Sequence, residues 1–275
     1  MADTDNELGE FLRARRELVT PEQAGIPVLG VRRVAGLRRE EVAMLSGISA
    51  DYYLRLEQGR DRNPSSQVLE SVARVLQLDS DTTAYLMALA GPRPRRPRRR
   101  RGSDAVPPHT ARLVDRLPFP AFVENRYLDV VASNALARAL SPRLSVGGNR
   151  LRDFFLDPAE RDLFPDWSEA AAGALVAGFR QSVGTDTDDP RFIELVGELS
   201  LASPVFQRLW SRHEIRPPQG ASMTFRHPQV GEVSVDRDKL AVSGTDGMVL
   251  VIYHVAPGSA DAEKLALLAG IAAEA

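Results

Sequence analysis

A run of proline and arginine divides this chain into two parts. Residues 92–101 read Pro-Arg-Pro-Arg-Arg-Pro-Arg-Arg-Arg-Arg. Proline removes backbone donors and the like charges repel one another, so this stretch excludes a helix and favours an extended linker. With 275 residues, the chain is long enough for two domains of ordinary size. We therefore predict one domain over 1–90, a linker over 91–107 and a second domain over 108–275.

Charge is distributed unevenly between the two parts. Residues 1–101 carry 18 Arg and 14 Asp or Glu, a net of +4, whereas residues 102–275 carry 17 Lys or Arg and 23 Asp or Glu, a net of −6. A basic front part suits a polyanionic partner, and the acidic remainder does not. The arginines of 92–101 are either solvated or add non-specific phosphate contacts, and the sequence leaves both open.

The composition also bears on the compartment. No segment approaches the ~18–20 consecutive apolar residues that cross a bilayer. The polar N-terminal residues do not resemble a signal peptide. The sequence contains no cysteine, which excludes disulfides, thiolate zinc sites and cysteine nucleophiles. We therefore expect a cytoplasmic protein with no membrane partner.

Apolar periodicity predicts an all-α front domain of five short helices. Gly47 breaks the chain between the second and third helices, Ser49 is a suitable N-cap for the third, and Gly59 ends it. The predicted helices lie at 6–18, at 37–46, at 50–58, after Asn63-Pro64-Ser65 and at 79–89.

Two short helices joined by a tight glycine turn have the spacing of a helix-turn-helix. In the second helix of the pair, Tyr53 and Leu56 lie three residues apart and are predicted to face the core. Arg and Gln on the other faces are side chains that form paired hydrogen bonds with guanine and adenine. A compact helical domain with solvated arginines fits the spacing equally well. The candidate residues for DNA contact are Arg38, Arg39, Ser49, Ala50, Asp51, Tyr52, Arg55, Gln58 and Arg60.

The residue identities in this segment indicate a protein family more specifically than the spacing of its helices does. Residues 42–49 read Val-Ala-Met-Leu-Ser-Gly-Ile-Ser, and Tyr53, then Arg-Leu-Glu-Gln-Gly-Arg at 55–60 and Pro-Ser at 64–65 follow. Together they resemble the Cro/CI-type (XRE) helix-turn-helix family over about residues 6–90. The resemblance implies binding to a double-stranded DNA operator, and a homodimer suits two half-sites related by two-fold symmetry.

Between the first two predicted helices, the sequence differs from the usual pattern of that family. The stretch from Gly25 to Gly36 is longer than usual for the family and carries Arg32 and Arg33. A loop of this kind either reaches the DNA backbone or minor groove, or packs aside; we favour the second.

The remainder of the chain mixes strands and helices. Ala121–Glu124 and Tyr127–Ala132 are predicted as strands, helical segments follow, and three more strands lie between Met223 and Val255 before a final helix. This pattern predicts an α+β domain whose sheet is covered on one face. Phosphate-binding glycine loops and serine-nucleophile motifs are absent, and the four histidines form no metal-binding motif. We therefore expect no enzyme activity, no metal and no cofactor.

A second resemblance covers this domain. Residues 120–134 run strand, turn, strand and then an asparagine that opens a helix, which looks like the start of a PAS domain. With 195–200, 203–206, 209–210 and 227–232, and together with the front domain, they resemble the MmyB-like regulators, which join this helix-turn-helix to a PAS-like ligand-binding domain. The resemblance implies a sensor for a small lipophilic molecule such as a fatty acid.

Aromatic side chains offer candidate pocket residues, although each of them is also an ordinary core residue. Arginine or histidine at the mouth of such a pocket can meet a carboxylate. An alternative is a protein-interaction or dimerisation module without a ligand. The candidate ligand-binding residues are Phe154, Trp167, Phe179, Arg180, Phe206, Trp210, His213 and Tyr253.

Overall fold

The computed structural model describes residues 6–27, 32, 34–61, 63–91, 105–165, 167–184, 187–215 and 221–274. The predicted proline- and arginine-rich run at 92–101 lies outside the described residues. The chain forms two compact units. The first takes in the described residues of Met1–Arg95, Gly184–Asp189 and Arg208–Arg216, and the second those of Arg96–Val183, Pro190–Gln207 and Pro217–Ala275.

The first unit contains the five predicted helices. Their apolar faces meet in one core that includes Phe11, Leu12, Tyr53, Leu56 and Leu86, each fully buried. Ile215 also belongs to this core. The helices are α1 (Glu7–Leu18), α2 (Arg39–Ser46), α3 (Ala50–Glu57), α4 (Ser66–Val75) and α5 (Ser80–Ala90).

The turn between α2 and α3 follows from local chemistry. Gly47 has φ +71°, a left-handed conformation that glycine adopts without steric cost. Its amide donates to the carbonyl of Met44, and the amide of Ile48 donates to that of Ala43, which ends α2. The hydroxyl of Ser49 accepts from the amide of Tyr52 at 3.1 Å and so caps α3, as predicted. The helix-turn-helix is therefore encoded by adjacent residues.

The second unit is built on a five-stranded antiparallel sheet in the order β2-β1-β5-β4-β3. Helices pack against this sheet, so the predicted α+β domain is confirmed. The strands are β1 (Ala121–Glu124), β2 (Val130–Ser133), β3 (Ala221–His227), β4 (Gly231–Ala241) and β5 (Val249–His254).

One predicted strand is shorter than expected. The sequence predicts a strand from Tyr127, but β2 begins at Val130. The side chain of Asn125 explains the difference, because its Oδ1 accepts from the amides of Tyr127 and Asp129 and closes a turn. Leu128 within the turn has φ +63°, which a strand cannot accommodate.

Helices cover both faces of the sheet, although the sequence predicts cover on one face only. On the inner face, Phe122, Val235 and Tyr253 pack with residues of α7 (Ala135–Leu140) and α13 (Ala260–Glu274). On the outer face, Val114 of α6 (Pro108–Arg116) packs against Val123. Helix α6 is absent from the sequence-based prediction. The helices of the second part of the chain are α6 (Pro108–Arg116), α7 (Ala135–Leu140), α8 (Arg150–Leu156), α9 (Pro158–Asp162), α10 (Glu169–Val183), α11 (Pro190–Ala202), α12 (Pro204–Trp210) and α13 (Ala260–Glu274).

Candidate functional site

The outer surface of α3 carries the predicted DNA-contacting side chains. Tyr53 and Leu56 are buried, so the helix presents its remaining faces outward. Tyr52 and Arg55 are half-buried on those faces, and Arg39 is half-buried on α2. The exposed candidates are Arg38, Ser49, Ala50, Asp51, Gln58 and Arg60. The geometry is compatible with insertion of α3 into a major groove, and the base and phosphate contacts themselves stay predictions.

A buried carboxylate, which the sequence did not single out, holds α3 in place. Glu57 accepts from Nε of Arg16 at 2.6 Å and from Nε of Arg39 at 2.6 Å. Arg16 also donates to the carbonyl of Leu37 at 2.9 Å. One residue of α3 is therefore tied to α1 and to the start of α2. Arg39, a candidate phosphate contact, already has this internal partner.

Arg55 is held on two sides. It forms an ion pair with Asp51 one helical turn earlier, and its guanidinium carbon lies 5.6 Å from the centre of the Tyr52 ring. Burial raises the pKa of Tyr52, and the charge of nearby Asp61 raises it further. Arg55 therefore has a defined orientation on the surface of α3.

Arg32 belongs to the loop that departs from the family pattern. Its guanidinium donates twice to the Glu41 carboxylate, at 2.7 Å each, and once to the carbonyl of Gly36 at 3.1 Å. These contacts engage Arg32 within the first unit. They support the interpretation that this part of the loop packs aside.

Three of the candidate ligand residues come together in one group of rings. In the second unit, Trp167 stacks on Phe154 with ring centres 6.1 Å apart, and Phe155 links Phe154 to Phe206 at 5.4 and 5.3 Å. Phe179 instead stacks on Phe192 at 6.1 Å.

Two phenylalanines that the sequence did not single out extend this row of rings. Phe164 lies 5.8 Å from Phe154 and 5.0 Å from Phe225, and Phe225 lies 5.4 Å from Tyr253. The signal for Phe225 was its place on the buried face of the alternating strand β3. The rings therefore form a continuous aromatic row from Trp167 to the sheet.

Arg180 is buried in α10 of the second unit, whereas Trp210 and His213 belong to the first unit and are half-buried there.

The inner face of the sheet also holds a group of buried charges. Glu124 of β1 accepts from Nη1 of Arg150 at 2.6 Å and from Nζ of Lys239 at 2.7 Å. Burial by itself raises the pKa of Glu124, but the charges of Arg150 and Lys239 outweigh it and lower the pKa to about 2. Glu124 is therefore ionised throughout the ordinary pH range.

Arg237 adds a third cation to this group. It lies two residues before Lys239 on β4 and opposite Tyr253 of β5, so it points to the same face as Lys239. Its Nε is buried without a hydrogen-bond partner among the described residues. Burial lowers the pKa of the Arg237 guanidinium, and the charge of Arg150 adds to this effect, whereas Tyr253 and Glu124 oppose it.

The charges on the inner face, one buried carboxylate and three half-buried cations, are therefore unbalanced in the part of the chain that the structure describes. We call Arg150, Arg237 and Lys239 the inner-face cations; Glu124 is their one ion-paired carboxylate. The nearby Glu160 accepts from the Ser141 hydroxyl at 2.6 Å, and burial raises its pKa. A buried cation without a counter-charge is costly, so this arrangement suits an anion.

A separate cavity of about 500 Å³ lies in the second unit. His227 borders it and is engaged on both nitrogens, with Nε2 2.9 Å from the carbonyl of Ala139 and Nδ1 accepting from the amide of Gln229. None of the predicted ligand residues lines this cavity. Its lining includes Leu140, Arg143, Glu160, Leu163, His227 and Gln229.

Fold and site together define a helix-turn-helix DNA-binding protein that also carries a PAS-like ligand-binding domain. A model described as "Helix-turn-helix domain" matches residues 7–86, and one described as "MmyB-like transcription regulator ligand binding domain" matches residues 106–268. The chain belongs to this family of MmyB-like regulators, as its XRE-type and MmyB-like sequence motifs predicted. A search of the curated proteins finds no matching relative. None of the described helices is long and apolar enough to cross a membrane.

Proposed function

We propose that this protein is a cytoplasmic transcription regulator that binds a double-stranded DNA operator as a homodimer and responds to a lipophilic anion such as a fatty acid. The proposal assigns operator contact to α3 and ligand contact to the inner face of the sheet. It assigns no catalytic step to either domain. The proposal assigns these two roles to the domains predicted from the sequence, 1–90 and 108–275.

Support for the DNA-binding role comes from the surface of α3. Its exposed and half-exposed side chains include Arg55 and Gln58, whose functional groups are suited to reading guanine and adenine. The buried contacts of Glu57 hold the helix rigidly, and rigid elements position reading side chains well. Two copies related by two-fold symmetry would read half-sites about one helical turn apart.

One observation gives the main support for a lipophilic anion as the ligand. The inner-face cations exceed their carboxylate partner, and they lie next to Tyr253, the end of the aromatic row. The Arg150 guanidinium carbon also lies 5.2 Å from the Phe122 ring centre. Aromatic rings suit a hydrocarbon chain, and an arginine with a free donor suits a carboxylate. A fatty acid combines both groups in one molecule.

The test uses the full chain, stripped of lipid by unfolding and refolding, in a thermal-shift assay. Hexadecanoic acid should raise the melting temperature, and hexadecan-1-ol should raise it much less because it lacks the charge. Arg237→Met should abolish the difference between acid and alcohol. The matched control Arg226→Met removes an exposed arginine from the outer face of β3 and should preserve that difference.

The Arg237→Met variant also provides a second, independent test of the proposal. Without ligand, Arg237→Met should melt higher than the unsubstituted chain, because a half-buried arginine whose Nε is buried without a hydrogen-bond partner among the described residues is replaced by an apolar side chain of similar length. If hexadecanoic acid and hexadecan-1-ol raise the melting temperature equally, the proposal that the ligand is an anion is refuted. If no lipid changes the melting temperature and organic extraction of the purified protein releases none, the second domain is an interaction module instead.

Gel-shift titration against a selected palindromic site tests whether the protein binds DNA as a homodimer.

A further inference from the structure

We infer that Asp51 is a specificity-determining residue that acts through Arg55, a role that rests on the DNA-binding function proposed above. Asp51 orients the Arg55 guanidinium for one base and keeps it from turning to the phosphates. Asp51 is thus a positioning residue, and Arg55 is the residue that touches the base.

The geometry of α3 supports this role. Asp51 and Arg55 are four residues apart, which places them on one face of the helix. Their ion pair fixes one edge of the guanidinium, and the ring of Tyr52 lies against the same group. Tyr52 is itself half-buried, so it is a firm support. An arginine with few orientations loses less conformational freedom when it forms paired hydrogen bonds with guanine.

The charge of Asp51 also supports a role in specificity. Its side chain is 73% exposed, on a surface whose partner carries a dense negative charge. A carboxylate in that position weakens attraction to any DNA, whatever the sequence. Removing it should therefore strengthen non-specific binding. If Asp51 orients Arg55, the same change should weaken the choice of base.

A simpler role for Asp51 is to stabilise α3, since an acidic residue in the first turn interacts favourably with the helix dipole. That role predicts a change in stability and no change in base preference. The two roles therefore differ in a measurable way.

The test measures binding of the full chain to its selected site, to every single-base variant of that site and to random DNA. Asp51→Ala should lower the preference at one base pair by about tenfold, the same pair at which Arg55→Ala loses preference. Affinity for random DNA should rise in Asp51→Ala and fall in Arg55→Ala. Asp51→Glu, which keeps the charge, should retain most of the preference.

The control is Asp81→Ala, which removes an exposed aspartate from the first turn of α5. It should leave base preference unchanged at every position. Unchanged preference in Asp51→Ala, or an equal loss at all positions, would overturn the positioning role. If the unsubstituted chain selects no sequence at all, the proposed DNA-binding function fails, and the role of Asp51 fails with it. Melting curves of each variant check that α3 is folded.

Discussion

Replacing Glu124 with Gln should destabilise the second unit strongly. The Glu124 side chain is 1% exposed and is contacted by Arg150 and Lys239. Its pKa falls from an ordinary 4.5 to about 2, and a shift of this size corresponds to about 3 kcal/mol of stability. The substitution keeps the shape of the side chain and removes its charge, so the inner-face cations lose their counter-ion. The expected loss is therefore about 3 kcal/mol near neutral pH.

The pH dependence of this loss has a defined sign. Because the folded-state pKa of Glu124 is depressed, the carboxylate stabilises the protein above about pH 4.5, and this contribution is lost as the pH falls toward 2. The gap between the unsubstituted chain and Glu124→Gln should thus shrink from about 3 kcal/mol at neutral pH to about 2 kcal/mol near pH 3.5.

Urea unfolding of the full chain measures this effect. Trp210→Phe serves as the background, so that the fluorescence comes from Trp167, which lies in the second unit and stacks on Phe154. The matched control Glu232→Gln removes a carboxylate from an exposed ion pair and should cost less than about 1 kcal/mol. A loss below about 1 kcal/mol in Glu124→Gln, or a gap that does not change with pH, would refute the reasoning.

Two further predictions concern the first unit and the linker. Glu57→Gln should cost about 3 kcal/mol, because it leaves Arg16 buried without its carboxylate; circular dichroism of urea unfolding measures this, and the exposed Glu40→Gln serves as the control. Replacing the arginines of 92–101 with serine should flatten the dependence of log affinity on log salt by ~0.9 for each phosphate that these arginines neutralise, and an unchanged slope would leave this segment as a spacer.

The local elements of both domains could be read from the sequence. Gly47 and Ser49 direct the turn and cap between α2 and α3 through partners only a few residues away. Asn134 likewise opens α7 by accepting from the amide of Ala137 at 2.8 Å. Signals of this kind act within one or two turns of chain, so residue type and spacing are enough to predict them.

Helix α6 and the row of rings were harder to predict. Helix α6 spans only nine residues, and its burial depends on a sheet whose strands come later in the chain. For Phe179, Trp210 and His213, residue type predicted a shared pocket, but Phe179 stacks on Phe192 and the other two residues belong to the first unit. Aromatic composition does not state which rings become neighbours.

The inner-face charges depended on tertiary structure alone. Glu124 and Lys239 are 115 residues apart in the chain, and they meet because β1 and β4 both pair with β5 in a defined register. A shift of one residue in either pairing would turn one of the two to the opposite face. In the sequence, Glu124, Arg150, Arg237 and Lys239 are four charged residues like many others. Only strand register and the packing of the sheet bring them together, because the residues that supply these charges are far apart in the chain.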